Sequence, residues 1–224
     1  MMPDFRGIIF DFDGVLLESE LELNRLTAQL LTEMGHETTL HDALTKFTGL
    51  NGRDVVEAIE GHIGGAIPDG FHDRMKDESA RALRDGLAEV VGAVDFIRSL
   101  PADLPRAVAS SSSTRWIRTH LQHLGLTGAF GNHIYSGREH VERGKPEPDL
   151  YLYAAEQIGV AIEQSVILED SRVGVTGALA SGARVIGLAA GSHCLDGHDE
   201  MLRAHGVREI AYSFDDVRRL LNLA

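Results

Sequence analysis

Asp11 and Asp13 stand two residues apart at the end of an apolar run, Gly7-Ile-Ile-Phe10, and Gly14 follows at once. Such a run reads as a strand buried on both faces, the habit of a parallel sheet. Side chains alternate along a strand, so carboxylates at this spacing leave it together. Close like charges are unfavourable unless a proton or a cation lies between them. Taken alone, the pair reads equally as an ordinary strand exit with solvated or capping aspartates.

Three further stretches bear on that choice. Ser110 ends the run Arg106-Ala-Val-Ala-Ser110 and opens four consecutive serines. Arg143-Gly-Lys-Pro-Glu-Pro-Asp149 carries Lys145, and the chain's other lysines are Lys46 and Lys76 alone. Ser165-Val-Ile-Leu-Glu169 continues into Asp170 and Ser171. Each has a plain structural reading: a serine loop beside a helix cap, a rigid turn capped by Asp149, a strand exit with Ser171 as N-cap. Those readings leave the set unexplained. Asp11, Asp13, Glu169, Asp170, a hydroxyl and a scarce lysine all fall where open α/β sheets place their ligands. Buried acids need a compensating cation, and an all-oxygen cluster selects a hard one such as Mg²⁺.

The elements that must position these groups follow from periodicity. After Gly14, Leu23, Leu26, Leu30 and Met34 recur at helical spacing up to Gly35. Helices are expected over Leu40 to Phe47, around Val55 to Ile63, and from Phe71 to about Leu87, with a loop across Gly61 to Gly70. From Gly92 the pattern alternates. Strands are expected at 106–110, 133–136, 165–169, 184–188 and 209–212, and helices at 93–100, 114–124, 149–158, 173–180 and 214–223. Repeated βα units imply a doubly wound parallel sheet. The expected organisation is an α/β, Rossmann-like core of residues 1–15 and 91–224 with an inserted helical cap of residues 16–90.

The 224 residues suit one large domain, or a core with a smaller insert. Composition is that of a soluble globular chain, with 43% hydrophobic and 25% charged residues. A formal net charge of −13 argues against nucleic acid or an anionic membrane as partner. It also means that a site for an anion must supply its own local positive charge or metal. The single cysteine, Cys194, excludes an internal disulfide framework and fits a reducing compartment. No secretory leader pattern and no bilayer-length apolar stretch are present, so a cytoplasmic protein is expected. A monomer or weak homodimer is expected.

The order Asp11-Phe-Asp-Gly-Val15, a strand ending in Ser110, Gly-Lys-Pro-Glu-Pro-Asp149 and Leu-Glu-Asp-Ser171 resembles the haloacid dehalogenase-like hydrolase superfamily. The resemblance covers nearly the whole chain, and the helical insert is similar to that superfamily's C1 cap. In sub-type it resembles the β-phosphoglucomutase and phosphoglycolate phosphatase-like group. Where that group usually continues Val-Asp-Ser-Glu, this chain has Leu17-Glu18-Ser19-Glu20, a departure in the hinge to the cap that bears on specificity more than on chemistry.

The resemblance implies a role for each residue. Asp11 is the nucleophile that becomes an aspartyl phosphate. Asp13 is the acid for the leaving alcohol and then the base for water. An aspartate at this second position points to phosphate esters, because an alkoxide leaving group needs a proton and a halide does not. Mg²⁺ is held by Asp11, the Asp13 carbonyl and Asp170, with Glu169 a direct or water-mediated ligand. Ser110 binds a phosphoryl oxygen with help from the Gly14 and Ser111 backbone N–H groups, and Lys145 stabilises charge on Asp11 and phosphate. The cap supplies specificity and excludes water on closure, about hinges near Gly14–Ser19 and Gly86–Gly92. Arg53 and Lys76 are candidate substrate contacts there, with Arg74 and Arg81 as competitors and a solvated helix face as the plain alternative.

The implied activity is Mg²⁺-dependent hydrolysis of a small phosphorylated metabolite, a sugar or sugar-acid phosphate. The Gly191-Ser-His193 loop, placed at the site's mouth, looks most like the bacterial sugar-phosphatase branch. A phosphosugar mutase or a phosphoglycolate phosphatase would use the same residues. A phospho-receiver domain would carry its acceptor aspartate mid-chain without a helical insert, and a dead binding module has no need of Asp13 with Lys145. His193, Cys194 and His198 are poorly spaced for a soft-metal site and read as a flexible loop. His120 and His123 read as a surface pair.

Overall fold

The structure, a computed structural model, describes residues 5–50 and 52–223. The apolar run after Arg6 forms β1 (Gly7–Phe10), buried at every position. It pairs in parallel with β2 (Arg106–Ser110) on one side and β4 (Ser165–Glu169) on the other, both also buried throughout. Outside them lie β3 (Ile134–Ser136), β5 (Arg184–Leu188) and β6 (Glu209–Ala211). The sheet order is β3-β2-β1-β4-β5-β6, with each strand parallel to its neighbour. This doubly wound order reverses direction between β1 and β4. Ligands bind at such a switch point, in the crevice beyond the carboxyl ends of the strands. Asp11 follows β1 there, and Glu169 ends β4.

The sheet is covered by α5 (Ala93–Ser99), α6 (Thr114–His123), α7 (Asp149–Gln157), α8 (Arg172–Ser181), α9 (His198–Ala204) and α10 (Phe214–Leu220), numbered after four earlier helices. Ile9, Ala107, Ala109 and Ile167 of the strands pack with Leu150, Tyr151 and Ala154 of α7 and Val175 and Ala178 of α8. Burying an isoleucine or leucine fully contributes about 1.5–3 kcal/mol. The strand ends, and the groups they carry, therefore rest on a close-packed frame. Serine caps start three of these helices: Ser113, Ser171 and Ser213 each accept a backbone N–H three residues on.

The chain divides into two compact units, one up to Glu18 and from Ala88 onward, the other Ser19–Leu87. At the boundary the Glu18 N–H donates to the Ala88 carbonyl at 2.9 Å, so the chain leaves and re-enters side by side. The second unit contains α1 (Ser19–Glu33), α2 (Leu40–Phe47), α3 (Gly52–Ile63) and α4 (Phe71–Asp85). Leu30, Leu31, Ala43, Phe47, Ile59 and Phe71 form its own core. Thr39 and Asp42 make a reciprocal capping box at the start of α2.

Three expectations are corrected. Leu23, placed on the apolar stripe of α1, is 46% exposed, and Leu31 takes a core position instead. Residues 198–204, to which the periodicity assigns no element, are helix. α9 starts after Gly197 at φ +89°, has Asp199 and Glu200 in its first turn and Arg203 in its last, and buries Leu202. Those end charges suit the helix dipole. His120 is not on the surface: it lies three residues after Ile117 on the inward face of α6 and is fully buried. Its ring meets Trp116 edge-on at 4.2 Å.

Candidate active site

Asp11 extends the ladder one residue beyond β1, its N–H donating to the Leu168 carbonyl at 3.0 Å. Its carboxylate receives Lys145 Nζ on Oδ1 at 2.6 Å. The chain then turns sharply. Leu16 and Leu17 N–H both bond the Phe12 carbonyl, and the Gly14 N–H donates to Leu17 at 2.8 Å. That donor was expected to face phosphate, and here it closes the turn. Gly14 sits at φ +81°, and a Cβ there would fall on Asp170 Oδ2 and approach His193 Cε1 to 2.9 Å. Glycine is needed both for the backbone conformation and for the close approach.

Asp13 takes a different set of partners. Its Oδ2 accepts Ser112 Oγ at 2.6 Å and Ser110 Oγ at 3.2 Å, and its Oδ1 accepts Trp116 Nε1 at 3.0 Å. Ser110, at the buried end of β2, also accepts the Ser112 N–H at 2.9 Å. Ser111 lies half-buried between them. Because Ser113 caps α6, Trp116 falls in its first turn and reaches back to Asp13. Ser112 and Trp116 were not singled out from the sequence. The signal was there: once Ser113 is taken as the cap, the serine before it and the tryptophan three residues on are both set beside the strand ends.

Glu169 has both oxygens fully engaged. Oε1 accepts Lys145 at 2.7 Å and the buried Tyr151 hydroxyl at 2.9 Å, while Oε2 accepts the Ser171 N–H at 2.8 Å and Ser171 Oγ at 3.1 Å. A Cβ on Gly174 would land on this carboxylate, so α8 approaches it through a glycine. Asp170 is the contrast. Its Oδ2 meets His193 Nε2 at 2.8 Å, and its Oδ1 is buried without a hydrogen-bond partner. Leaving such a group unsatisfied is costly.

Charge decides what the site can hold. Burial pushes Asp11 well above the usual carboxylate range; Lys145 pulls it down, while Glu169, Asp170 and Asp13 push it further up. Burial and then Glu169 raise Asp170 in the same way. At Lys145 burial opposes the ammonium, but Asp11 and Glu169 outweigh it and hold the pKa well above the ordinary lysine value. One ammonium does not balance this many carboxylates. Asp11, Glu169 and Asp170 each present a ligand oxygen, all within 4.8 Å of one another. An all-oxygen set with one orphaned carboxylate oxygen fits a hard divalent cation such as Mg²⁺.

The remaining expected residues have partners of their own. Arg53 and Lys76 lie in the helical unit, on α3 and α4, exposed and ion-paired with Glu57 at 2.6 Å and Asp73 at 3.1 Å. Arg74 and Arg81 pair with Glu33 and Glu78. His193 does not line a mouth: it is buried against Asp170. His193, Cys194 and His198 do converge, with ligand-type atoms within 4.8 Å, although their spacing in sequence argued against it. Both histidines direct Nε2 at Asp170, His198 to its carbonyl at 2.8 Å. Glu18, the departure from the family's pattern, is buried and accepts the Ser192 N–H and Oγ, the latter at 2.9 Å.

Comparison with known proteins places this geometry. The profile of the family described as Haloacid dehalogenase-like hydrolase matches residues 8–188, from β1 to the end of β5. The chain belongs to that family. Among its curated relatives is the fructose-1-phosphate phosphatase YqaB of Escherichia coli, 30% identical over 81% of this chain and 95% of that one. A haloacid dehalogenase-like protein of unknown function from Agrobacterium tumefaciens superposes with a TM-score of 0.88, at 30% identity over 97% of this chain and 98% of that one. A HAD family hydrolase from Deinococcus radiodurans, whose structure holds phosphate and sodium, gives 0.84 at 32% identity over 97% and 95%. Among the described residues, no helix is long and apolar enough to cross a membrane.

Proposed function

We propose that this chain is a Mg²⁺-dependent phosphoric monoester hydrolase acting on a small phosphorylated metabolite, a sugar or sugar-acid phosphate, in the cytoplasm. The observation that carries the reading is the division of labour between Asp11 and Asp13. Asp11 sits beside the buried Lys145 ammonium and in one cluster with the Glu169 and Asp170 carboxylates, whereas hydroxyl and indole donors hold Asp13. A phosphatase needs this asymmetry: a nucleophile beside a cationic group and a separate group to move a proton.

Asp11 attacks phosphorus and forms an aspartyl phosphate while the ester oxygen leaves. Asp13 gives that oxygen its proton, then takes one from the water that cleaves the acyl phosphate. Lys145 offsets the charge that collects on Asp11 and the transferring group. Ser110 exchanges its bond to Asp13 for one to a phosphoryl oxygen. Asp11, Asp170 and the Asp13 carbonyl would hold Mg²⁺. Glu169, whose oxygens are already taken by donors, reaches it through water or acts by fixing Lys145. Bound there, Mg²⁺ removes the repulsion between the carboxylates and an anionic substrate. The choice of a sugar phosphate rests on the relatives' substrates. It also rests on the acid at position 13, because a sugar alkoxide leaves poorly without a proton.

The test is phosphate release from p-nitrophenyl phosphate and a panel of sugar phosphates, with Mg²⁺ and with chelator, in wild type and Asp11→Asn. Cation-dependent release that falls about 10³-fold or more in the variant is expected. Isomerisation of a hexose 1-phosphate without release would turn the reading to a mutase. The absence of both activities would overturn it.

A further inference from the structure

Asp170 is held at both of its acceptor groups by a short stretch after β5, and nothing in the reaction as described uses that stretch. His193 Nε2 lies 2.8 Å from Asp170 Oδ2, with both side chains almost wholly buried. His198 Nε2, at the start of α9, lies 2.8 Å from the Asp170 carbonyl. A carbonyl oxygen only accepts, so His198 carries its proton on Nε2. A carboxylate paired in the same way takes the Nε2 proton of His193. One side chain thus fixes the rotation of the carboxylate and the other fixes the main chain that bears it.

The stretch is itself built to stay in place. Ser192 is joined to the buried Glu18 through its N–H at 3.0 and 3.1 Å to the two carboxylate oxygens, and through its Oγ at 2.9 Å. The Cys194 N–H closes a turn on the Gly191 carbonyl at 2.9 Å. The His193 ring fits only because its neighbours lack side chains. A Cβ on Gly191 would stand 2.6 Å from both Cε1 and Nδ1, and one on Gly14 would stand 2.9 Å from Cε1. With Oδ2 turned to His193, Oδ1 is the oxygen without a hydrogen-bond partner.

We infer that residues 191–198 form a clamp on Asp170, in which His193 and His198 are positioning residues that present Oδ1 to the cation. The inference rests on the reading of Asp170 as a cation ligand. Partners one shell out from a metal orient its ligands, and their loss costs about 10- to 100-fold in metal affinity.

The test is direct binding of Mn²⁺ by the full chain without substrate, followed by loss of the free-ion EPR signal, in wild type, Asp170→Asn, His193→Ala and His193→Gln. Gln keeps a donor near the place of Nε2. Wild-type binding is expected, with loss in Asp170→Asn, 10- to 100-fold weaker binding in His193→Ala and most of the affinity restored in His193→Gln. If wild type binds no Mn²⁺, or Asp170→Asn binds as wild type, the cation reading fails and the clamp with it. If Asp170 matters but folded His193→Ala binds as wild type does, the clamp alone is overturned. Should His193→Ala not fold, His198→Leu makes the same comparison. Weaker binding is again expected, and unchanged affinity overturns the clamp.

Discussion

Asp13 Oδ1 receives the Trp116 indole N–H at 3.0 Å, and Oδ2 receives Ser112 at 2.6 Å. A hydrogen bond contributes about 0.5–1.5 kcal/mol net, so the indole is part of what holds Asp13 in place. Its effect on rate depends on the substrate. In the proposed reaction a sugar alkoxide needs Asp13's proton at the moment of departure, whereas p-nitrophenolate leaves without one. Trp116→Phe keeps an aromatic ring beside His120 and removes the N–H with the five-membered ring that carries it. The expected result is a loss of about 10-fold in kcat/KM for sugar phosphates and a much smaller loss for p-nitrophenyl phosphate, read from parallel steady-state assays. Equal losses for both would mean that Trp116 acts by packing alone.

Among the elements, α8 shows how a local rule yields to the site. Gly174 lies inside a helix, where alanine would be more favourable by about 1 kcal/mol. Its Cβ would instead occupy the position of the Glu169 carboxylate. Disrupting a buried ion pair costs about 3–5 kcal/mol, so the second effect wins. Gly174→Ala is expected to lower the melting temperature and the activity together; a gain in stability would contradict this arrangement. The sheet, its parallel direction and the four groups at its strand ends were legible from apolar runs and punctuating glycines, because buried central strands leave a continuous hydrophobic signal. α9 was not, since seven residues with Leu202 as their one fully buried side chain carry too little period to register. The clamp and the Asp13 donors were not legible either. They join residues about 23 or more apart in sequence through side chains whose types also suit loops, as the Asp13 to Trp116 separation of 103 shows. His120 was legible in principle, from its place between Ile117 and Leu121 on one face of α6.

For the molecule as a whole, His120 sets a pH limit. Burial lowers its pKa to about 4, with Asp13 opposing and His123 reinforcing the shift. A histidine depressed in the folded state stays neutral there while the unfolded chain takes up a proton. Its contribution to stability is therefore complete above its ordinary value of 6.5 and is lost as pH falls towards 4. The loss amounts to at most about 3–4 kcal/mol for the fall from 6.5 to about 4, at about 1.4 kcal/mol per pH unit. Urea unfolding of wild type and His120→Leu at pH 7 and pH 4.5 should show the variant losing less stability between the two. An identical loss in both would remove His120 as the source.

The central claim is that Asp11 carries the phosphoryl group. In Asp13→Asn the base that activates water is gone, but p-nitrophenolate still departs without an acid, so the phosphorylated enzyme should accumulate. The most direct measurement is acid quenching of that variant after brief mixing with p-nitrophenyl phosphate and Mg²⁺, followed by peptide mass mapping. The account predicts one added phosphoryl group, on the peptide containing Asp11 and absent from the Asp11→Asn, Asp13→Asn double variant. A phosphoryl group on Ser110 or Ser112, or none on a variant that still releases p-nitrophenolate, would contradict it.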